Sequence, residues 1–183
     1  MSTPPSPAAS HLARSFNAVE PAQMHTLILG SMPGVRSLQA QQYYAHPHNA
    51  FWPILSGLLG IKAACYAARL SQLQQHGIGL WDVLASCERT GSLDSAIQPQ
   101  SLRVNDFAPM LTRHPELQRI IFNGSTAYTL WRRHVHALLP ASPAVQLIRA
   151  PSTSPAHAAM SLHAKREAWQ LALQGHPRHY SAP

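Results

Sequence analysis

The run Leu27-Ile28-Leu29-Gly30-Ser31-Met32-Pro33-Gly34 sets the fold class. Three consecutive apolar residues stopped by a glycine are the pattern of a strand buried on both faces, because a strand with one wet face would alternate polar and apolar. Similar short runs recur at 78–84, 120–122 and 145–148, which gives four strands. Helical patterns fill the intervals. Asn49 is placed to cap a helix that begins at Ala50, tolerates Pro53 in its first turn and carries Ile54, Leu55, Leu58 and Leu59 as one apolar stripe. Residues 63–76 continue as a second helix ended by Gly77, and 126–138 and 156–173 read as two more. Strands that alternate with helices predict an α/β layered fold with a mostly parallel sheet.

The chain has 183 residues, 45% hydrophobic and 11% charged, which suits a single core. Residues 1–22, with Pro4, Pro5, Pro7 and Pro21 among Ser and Ala, read as a disordered N-terminal tail; 23–175 form the domain and 176–183 a C-terminal tail. Lys and Arg number 14 against 7 Asp and Glu, a formal charge of +7, and only Lys62 and Lys165 are lysines. That excess fits a polyanionic partner, although an arginine-rich composition alone would also produce it. Two cysteines, Cys65 and Cys87, with no CxxC, exclude a four-cysteine cluster or zinc site. No apolar stretch approaches the ~20 residues of a membrane span, and no basic segment precedes a short apolar run. The expectation is a cytoplasmic monomer with no membrane contact.

In α/β sheets ligands bind beyond the carboxyl ends of the strands. That rule selects residues 31–49, 123–125 and 150–155, which are also the most unusual local sequences. The first contains Gly30-Ser31-Met32-Pro33-Gly34 and runs on to Tyr43-Tyr44-Ala45-His46-Pro47-His48-Asn49-Ala50-Phe51-Trp52; the second is Asn123-Gly124-Ser125; the third is Pro151-Ser152-Thr153-Ser154-Pro155.

The first segment resembles motif one of the uracil-DNA glycosylase superfamily, and its Tyr-Tyr-x-x-Pro-x-Asn-x-Phe-Trp run is similar to the hypoxanthine-DNA glycosylase branch, the sixth family. The second resembles the base-reading segment of that superfamily, and the third its minor-groove loop. The resemblance covers about 24–173. It implies a three-layer α/β/α sandwich around a four-stranded parallel sheet, and cofactor-free removal of deaminated bases from DNA. Related branches carry Asn or Asp at the position of Met32 to handle the attacking water, and a thioether orients water poorly. The sixth-family resemblance transfers that role to Asn49. Gly30, Ser31, Met32, Tyr44, Phe51 and Asn123 would then surround the base, while Pro151, Ser152, Thr153 and Ser154 would touch DNA. A uracil:guanine mismatch glycosylase and a catalytically silent nucleic-acid-binding module are the competing readings.

The chemistry suits these residue types. Hydrolysis of an N-glycosidic bond develops positive charge on the sugar and negative charge on the base, so it needs a held water and hydrogen-bond donors toward the base. A base in a duplex must be flipped out, stacked on an aromatic ring and read along its edge. Deamination replaces an exocyclic donor with a carbonyl, and an amide such as Asn123 offers both a donor and an acceptor to that edge. Plainer readings stand beside these: Asn49 as a helix cap, Asn123 as a turn residue, and the aromatic residues as core, with Trp52 assigned to the core and Phe51 to the site. The 12 histidines show no metal-ligand spacing. The serines lack G-x-S-x-G, and the glycines lack both G-x-G-x-x-G and a Walker lysine. With neither lysine in a candidate loop, lyase chemistry through a Schiff base is not expected.

Overall fold

A computed structural model describes residues 11–136 and 145–175. In chain order the elements are β1 (His11–Arg14), β2 (Thr26–Gly30), α1 (Val35–Ala40), α2 (Phe51–Leu59), α3 (Tyr66–Gln75), β3 (Ile78–Asp82), β4 (Leu84–Arg89), β5 (Arg103–Val104), α4 (Ala108–Arg113), β6 (Arg119–Asn123), α5 (Ser125–His134), β7 (Gln146–Ala150) and α6 (Leu162–Leu173). Strands β3-β2-β6-β7 form the main sheet, and every pairing in it is parallel. Ile28 lies opposite both Leu80 and Ile121, and Ile121 opposite Ile148, so one row of β-branched and leucine side chains crosses the sheet.

The period of two sorts the two faces. Ile28, Leu80, Ile121 and Ile148 pack against Ile54 and Leu55 of α2, Leu73 of α3 and Trp169 of α6. Leu27, Leu29, Ile120 and Phe122 pack on the opposite side against Met110 of α4 and Ala127 and Trp131 of α5. The result is the three-layer α/β/α sandwich with the four-stranded sheet at its centre. All five residues of β2 are buried, and each large side chain there contributes about 1.5–3 kcal/mol by leaving water.

The structure departs from the sequence reading in several places. Residues 11–22 are part of the fold rather than a tail: β1 pairs antiparallel with β4, Ala13 opposite Cys87, and Val19 exchanges two backbone hydrogen bonds with Leu80. Backbone pairing, which composition does not report, holds this segment. Residues 1–10 and 176–183 lie outside those described. The run 78–84 is not one strand. Beyond Asp82 the chain bends away: Val83 N–H bonds Gly30 O and Leu84 N–H bonds Ser31 O, and β4 enters a second, three-stranded sheet in the order β1-β4-β5. The helix expected over 156–173 starts only at Leu162, where Ser161 supplies the cap by accepting from Ala164 N–H. The helix read from residue 63 begins at Tyr66, and that read over 126–138 is α5, whose last expected residues, 137–138, are not described. Helix α1 sits inside what looked like a continuous loop, 31–49.

Candidate active site

Three segments meet beyond the carboxyl ends of β2, β6 and β7, and Thr153, 1% exposed, joins them. Its backbone N–H donates to Asn123 Oδ1 at 2.9 Å, its hydroxyl accepts from Asn123 Nδ2 at 2.8 Å, and its carbonyl accepts from Ala50 N–H at 2.9 Å. A buried polar residue with all its groups paired fixes geometry firmly, since breaking any one bond leaves an unsatisfied partner. Gly124 allows the approach: its φ is 102°, and a Cβ there would lie 3.1 Å from the Ser152 side chain. Around this clamp opens a cleft of about 340 Å³, within the range of small-ligand sites.

Gly30, Ser31, Met32, Tyr44, Asn49, Asn123, Ser152, Thr153 and Ser154, drawn from all three segments singled out in the sequence, line the cleft. Asn49 is half-buried, and its Oδ1 accepts from Phe51 N–H at 2.9 Å, so it caps α2 while its amide group borders the cleft. The amide of Asn123 bonds Thr153 through both its atoms, which leaves one N–H and one lone pair for a ligand. Ser31 donates to Asp94 Oδ1 at 2.7 Å, tying the first segment to residues 92–94 on the facing rim. Met32 has its side chain in a third apolar cluster with Leu84 and Cys87.

One assignment is corrected. Phe51 is fully buried and does not line the cleft, because its ring lies in the core with Trp52 and Trp169 edge-on to it. It backs Tyr44 instead: the two rings stack with centroids 3.8 Å apart, and Tyr44 is the member that borders the cleft. Tyr44 adopts φ 57°, a left-handed conformation uncommon for a bulky residue and costing about 1–3 kcal/mol, which the stack and the loop geometry sustain. Pro151, half-buried beside the cleft, has its carbonyl accept from Trp169 Nε1, which anchors the third segment to α6.

The sequence reading missed Asp82, the last residue of β3. It is 3% exposed, lines the cleft, and accepts from Ser15 Oγ at 2.8 Å on Oδ2. Burial pushes its carboxyl up to about 7, against the pull of Ser15, Tyr43 and Arg89, and Asp94 adds to the rise. Gly30 makes room for it, since a Cβ on residue 30 would meet Asp82 Oδ1 at 2.6 Å. Tyr43 and Tyr44 also line the cleft with buried hydroxyls, that of Tyr43 beside Asp82 and Ser15 and that of Tyr44 beside Asn123. Burial raises each well above the ordinary tyrosine range, with Asp82 adding to it. The usable signal was positional: a carboxylate at the carboxyl end of an apolar strand, inside a run read as one strand. Lys165 lies closer than expected. It is buried under the third segment, donates to the His157 carbonyl at 2.8 Å, and borders a shallow pocket shared with Asn49.

Comparison with known proteins bears on the family. The Uracil DNA glycosylase superfamily profile matches residues 16–173. A protein named hypoxanthine DNA glycosylase from Methanosarcina acetivorans is 38% identical over 118 residues, 63% of this chain and 73% of the relative. A second of the same name, from Methanosarcina barkeri, is 36% identical over 113 residues, 61% and 70% of the two chains. The solution NMR structure of a candidate uracil DNA glycosylase from Methanosarcina acetivorans superposes with a TM-score of 0.74 at 30% identity, over 90% of this chain and 98% of that one. A profile match that spans most of the chain, on this sheet order and with these three strand-end segments, places the protein: it belongs to the uracil DNA glycosylase superfamily.

Proposed function

We propose that the chain is a monofunctional DNA glycosylase that hydrolyses the N-glycosidic bond of deaminated bases, hypoxanthine foremost and uracil by the same chemistry, as a first step of base excision repair. The observation that carries this reading is the Thr153 clamp, which holds the Asn49 segment, the Asn123 strand end and the 151–155 loop around one cleft. The names of the two Methanosarcina relatives support hypoxanthine as the base.

The mechanism uses the chain's own groups. The flipped base stacks on Tyr44, which Phe51 backs as a rigid second ring. Asn123 offers its remaining N–H and lone pair to the base edge, and the amino end of α5 at Ser125 and Thr126, also in the cleft lining, favours the negative charge growing on the base. Asn49 orients a water toward C1′ of the sugar through its amide. The C1′–N bond breaks, its electron pair leaves with the base, water supplies hydroxyl to C1′, and the water's proton ends on the base. Lys165 takes no covalent part, because its ammonium is held by the carbonyl of His157.

The deciding experiment incubates excess protein with labelled duplexes containing inosine, uracil or xanthine, then cleaves abasic sites with alkali. Inosine strands should break. Binding without any strand break would make the protein a silent nucleic-acid-binding module, and breakage confined to uracil opposite guanine would make it a mismatch glycosylase.

A further inference from the structure

A base that leaves a duplex opens a gap in the stack, and unless some group occupies the gap the base falls back into it. The third segment supplies no side chain of the right kind: of its residues in the cleft lining, only Pro155 and Ala156 are apolar, a rigid ring and a single methyl group. Among the described residues four large apolar side chains are exposed, Leu12, Val35, Leu93 and Leu162. Single exposures of this sort are ordinary. Leu93 differs by its place: it is 55% exposed and, alone of the four, lines the cleft.

The backbone that carries Leu93 is fastened on both sides. Ser92 Oγ accepts from Val35 N–H at 2.9 Å, and Asp94 Oδ1 accepts from Ser31 Oγ at 2.7 Å, so both chain neighbours of Leu93 are bonded to the first segment. The Leu93 carbonyl accepts from Ala96 N–H at 3.1 Å, which starts a 3-10 turn over Asp94–Ala96. Beneath them the buried Arg89 guanidinium donates to the Pro33 carbonyl and braces the same segment against β4. Folding gains nothing from holding a leucine in water, whereas a ligand that meets an ordered side chain loses little to ordering it on binding. Arg36 of α1, exposed on the same cleft, brings a guanidinium suited to the phosphates of a strand laid there.

We infer that Leu93 enters the duplex from the rim formed by residues 92–94 and fills the space that the flipped base vacates, so that the second rim of the cleft is a DNA-contacting element in its own right. This rests on the glycosylase reading and adds to it a residue that touches the stack and not the reacting atoms. In the gap the isobutyl group exchanges water for the apolar faces of the flanking bases, which the departing base has uncovered. That gain belongs to the flipped state alone, so it raises the fraction of duplex poised for hydrolysis without altering the chemical step.

The test uses a duplex with inosine paired to cytosine and 2-aminopurine as its 3′ neighbour, whose fluorescence rises when the adjacent base leaves the stack. Single-turnover excision and the fluorescence rise are measured at saturating protein for the wild type, Leu93→Ala and Leu93→Met, with melting curves alongside. Leu93 is exposed, so its truncation leaves the fold and the Tm in place. Leu93→Ala should slow excision by about ten-fold or more, the scale set by one unfilled stacking step, and should cut the fluorescence rise with it. Leu93→Met, still apolar and of similar reach, should recover most of both. Excision by Leu93→Ala within about two-fold of wild type overturns the inference, as does a Leu93→Met variant as slow as alanine. Slow excision by Leu93→Ala with a full fluorescence rise also overturns it, because the base would then leave the stack without help from Leu93. Absence of excision by the wild type on every substrate overturns the glycosylase reading instead.

Discussion

Asn49 caps a helix and borders the cleft, so the decisive perturbation must separate those two duties. Asn49→Ala removes both. The cap is the hydrogen bond from Phe51 N–H to Oδ1, 2.9 Å long, and its loss costs about 0.5–2 kcal/mol. For a chain of this size that is a fall in Tm of roughly 1–8 °C. The chemical duty is larger: losing one preorganised group toward the reacting centre slows the step by about 10²–10³-fold, or roughly 3–4 kcal/mol of barrier. Asn49→Ser provides the contrast, because serine caps helices about as well as asparagine but is too short to carry an amide into the cleft. Serine should therefore restore most of the Tm and little of the rate. The assay is single-turnover excision from an inosine duplex with protein in excess, which isolates the chemical step, alongside melting curves and duplex affinity. If Asn49→Ser recovers rate and Tm together, Asn49 acts only as a cap, and if either variant excises at near wild-type rate the assignment of the water to Asn49 is wrong.

Four further outcomes follow from the same geometry. Gly30→Ala drives a Cβ to 2.6 Å from Asp82 Oδ1, so the end of β2 or the carboxyl must shift and single-turnover excision should drop about ten-fold or more, while an unaltered rate would show that the cleft absorbs the displacement. The Asp82 carboxyl, raised by burial from 3.8 to about 7, contributes stability that is complete below pH ~4 and is lost as pH rises to about 7; the three-unit rise sets the scale at roughly 4 kcal/mol, and urea titrations across that window should show a decline that Asp82→Asn flattens. Duplex affinity should fall steeply between about 50 and 200 mM salt, as counterion release requires of a basic protein on DNA; flat anisotropy titrations would contradict a duplex footprint. Lys165→Met removes the bond to the His157 carbonyl and should weaken DNA binding by loosening the 151–157 loop, while borohydride traps no covalent adduct with the wild type; a trapped adduct would make Lys165 a nucleophile.

What the sequence disclosed and what it hid divide along physical lines. β2 and β6 were legible because burial on both faces leaves an unbroken apolar run, whereas the edge strand β7, exposed at Gln146 and Arg149, showed only the pair Leu147-Ile148. The second sheet was not legible, because β1 and β4 depend on backbone hydrogen bonds between half-exposed strands, and His11-Leu12-Ala13-Arg14 has nothing in its side chains to announce a partner more than seventy residues away. The same limit governs the cleft. Asn49, Asn123 and Thr153 could be found because they sit in short segments of distinctive composition at strand ends. Phe51 was misplaced because an aromatic residue beside a site looks alike whether it faces the ligand or supports the ring that does; only the 3.8 Å stack on Tyr44 tells them apart. Asp82 was hidden for a complementary reason. Its meaning lies in three residues distant in sequence: Ser15, which binds one oxygen, Gly30, which leaves space for the other, and Tyr43, which shares the cleft. A carboxyl becomes chemically unusual when it is buried, and its burial here follows from the bend at Val83 that carries the chain out of one sheet and into the next. The feature that the apolar run concealed, its division after Asp82, is therefore also what places an acid at the floor of the cleft.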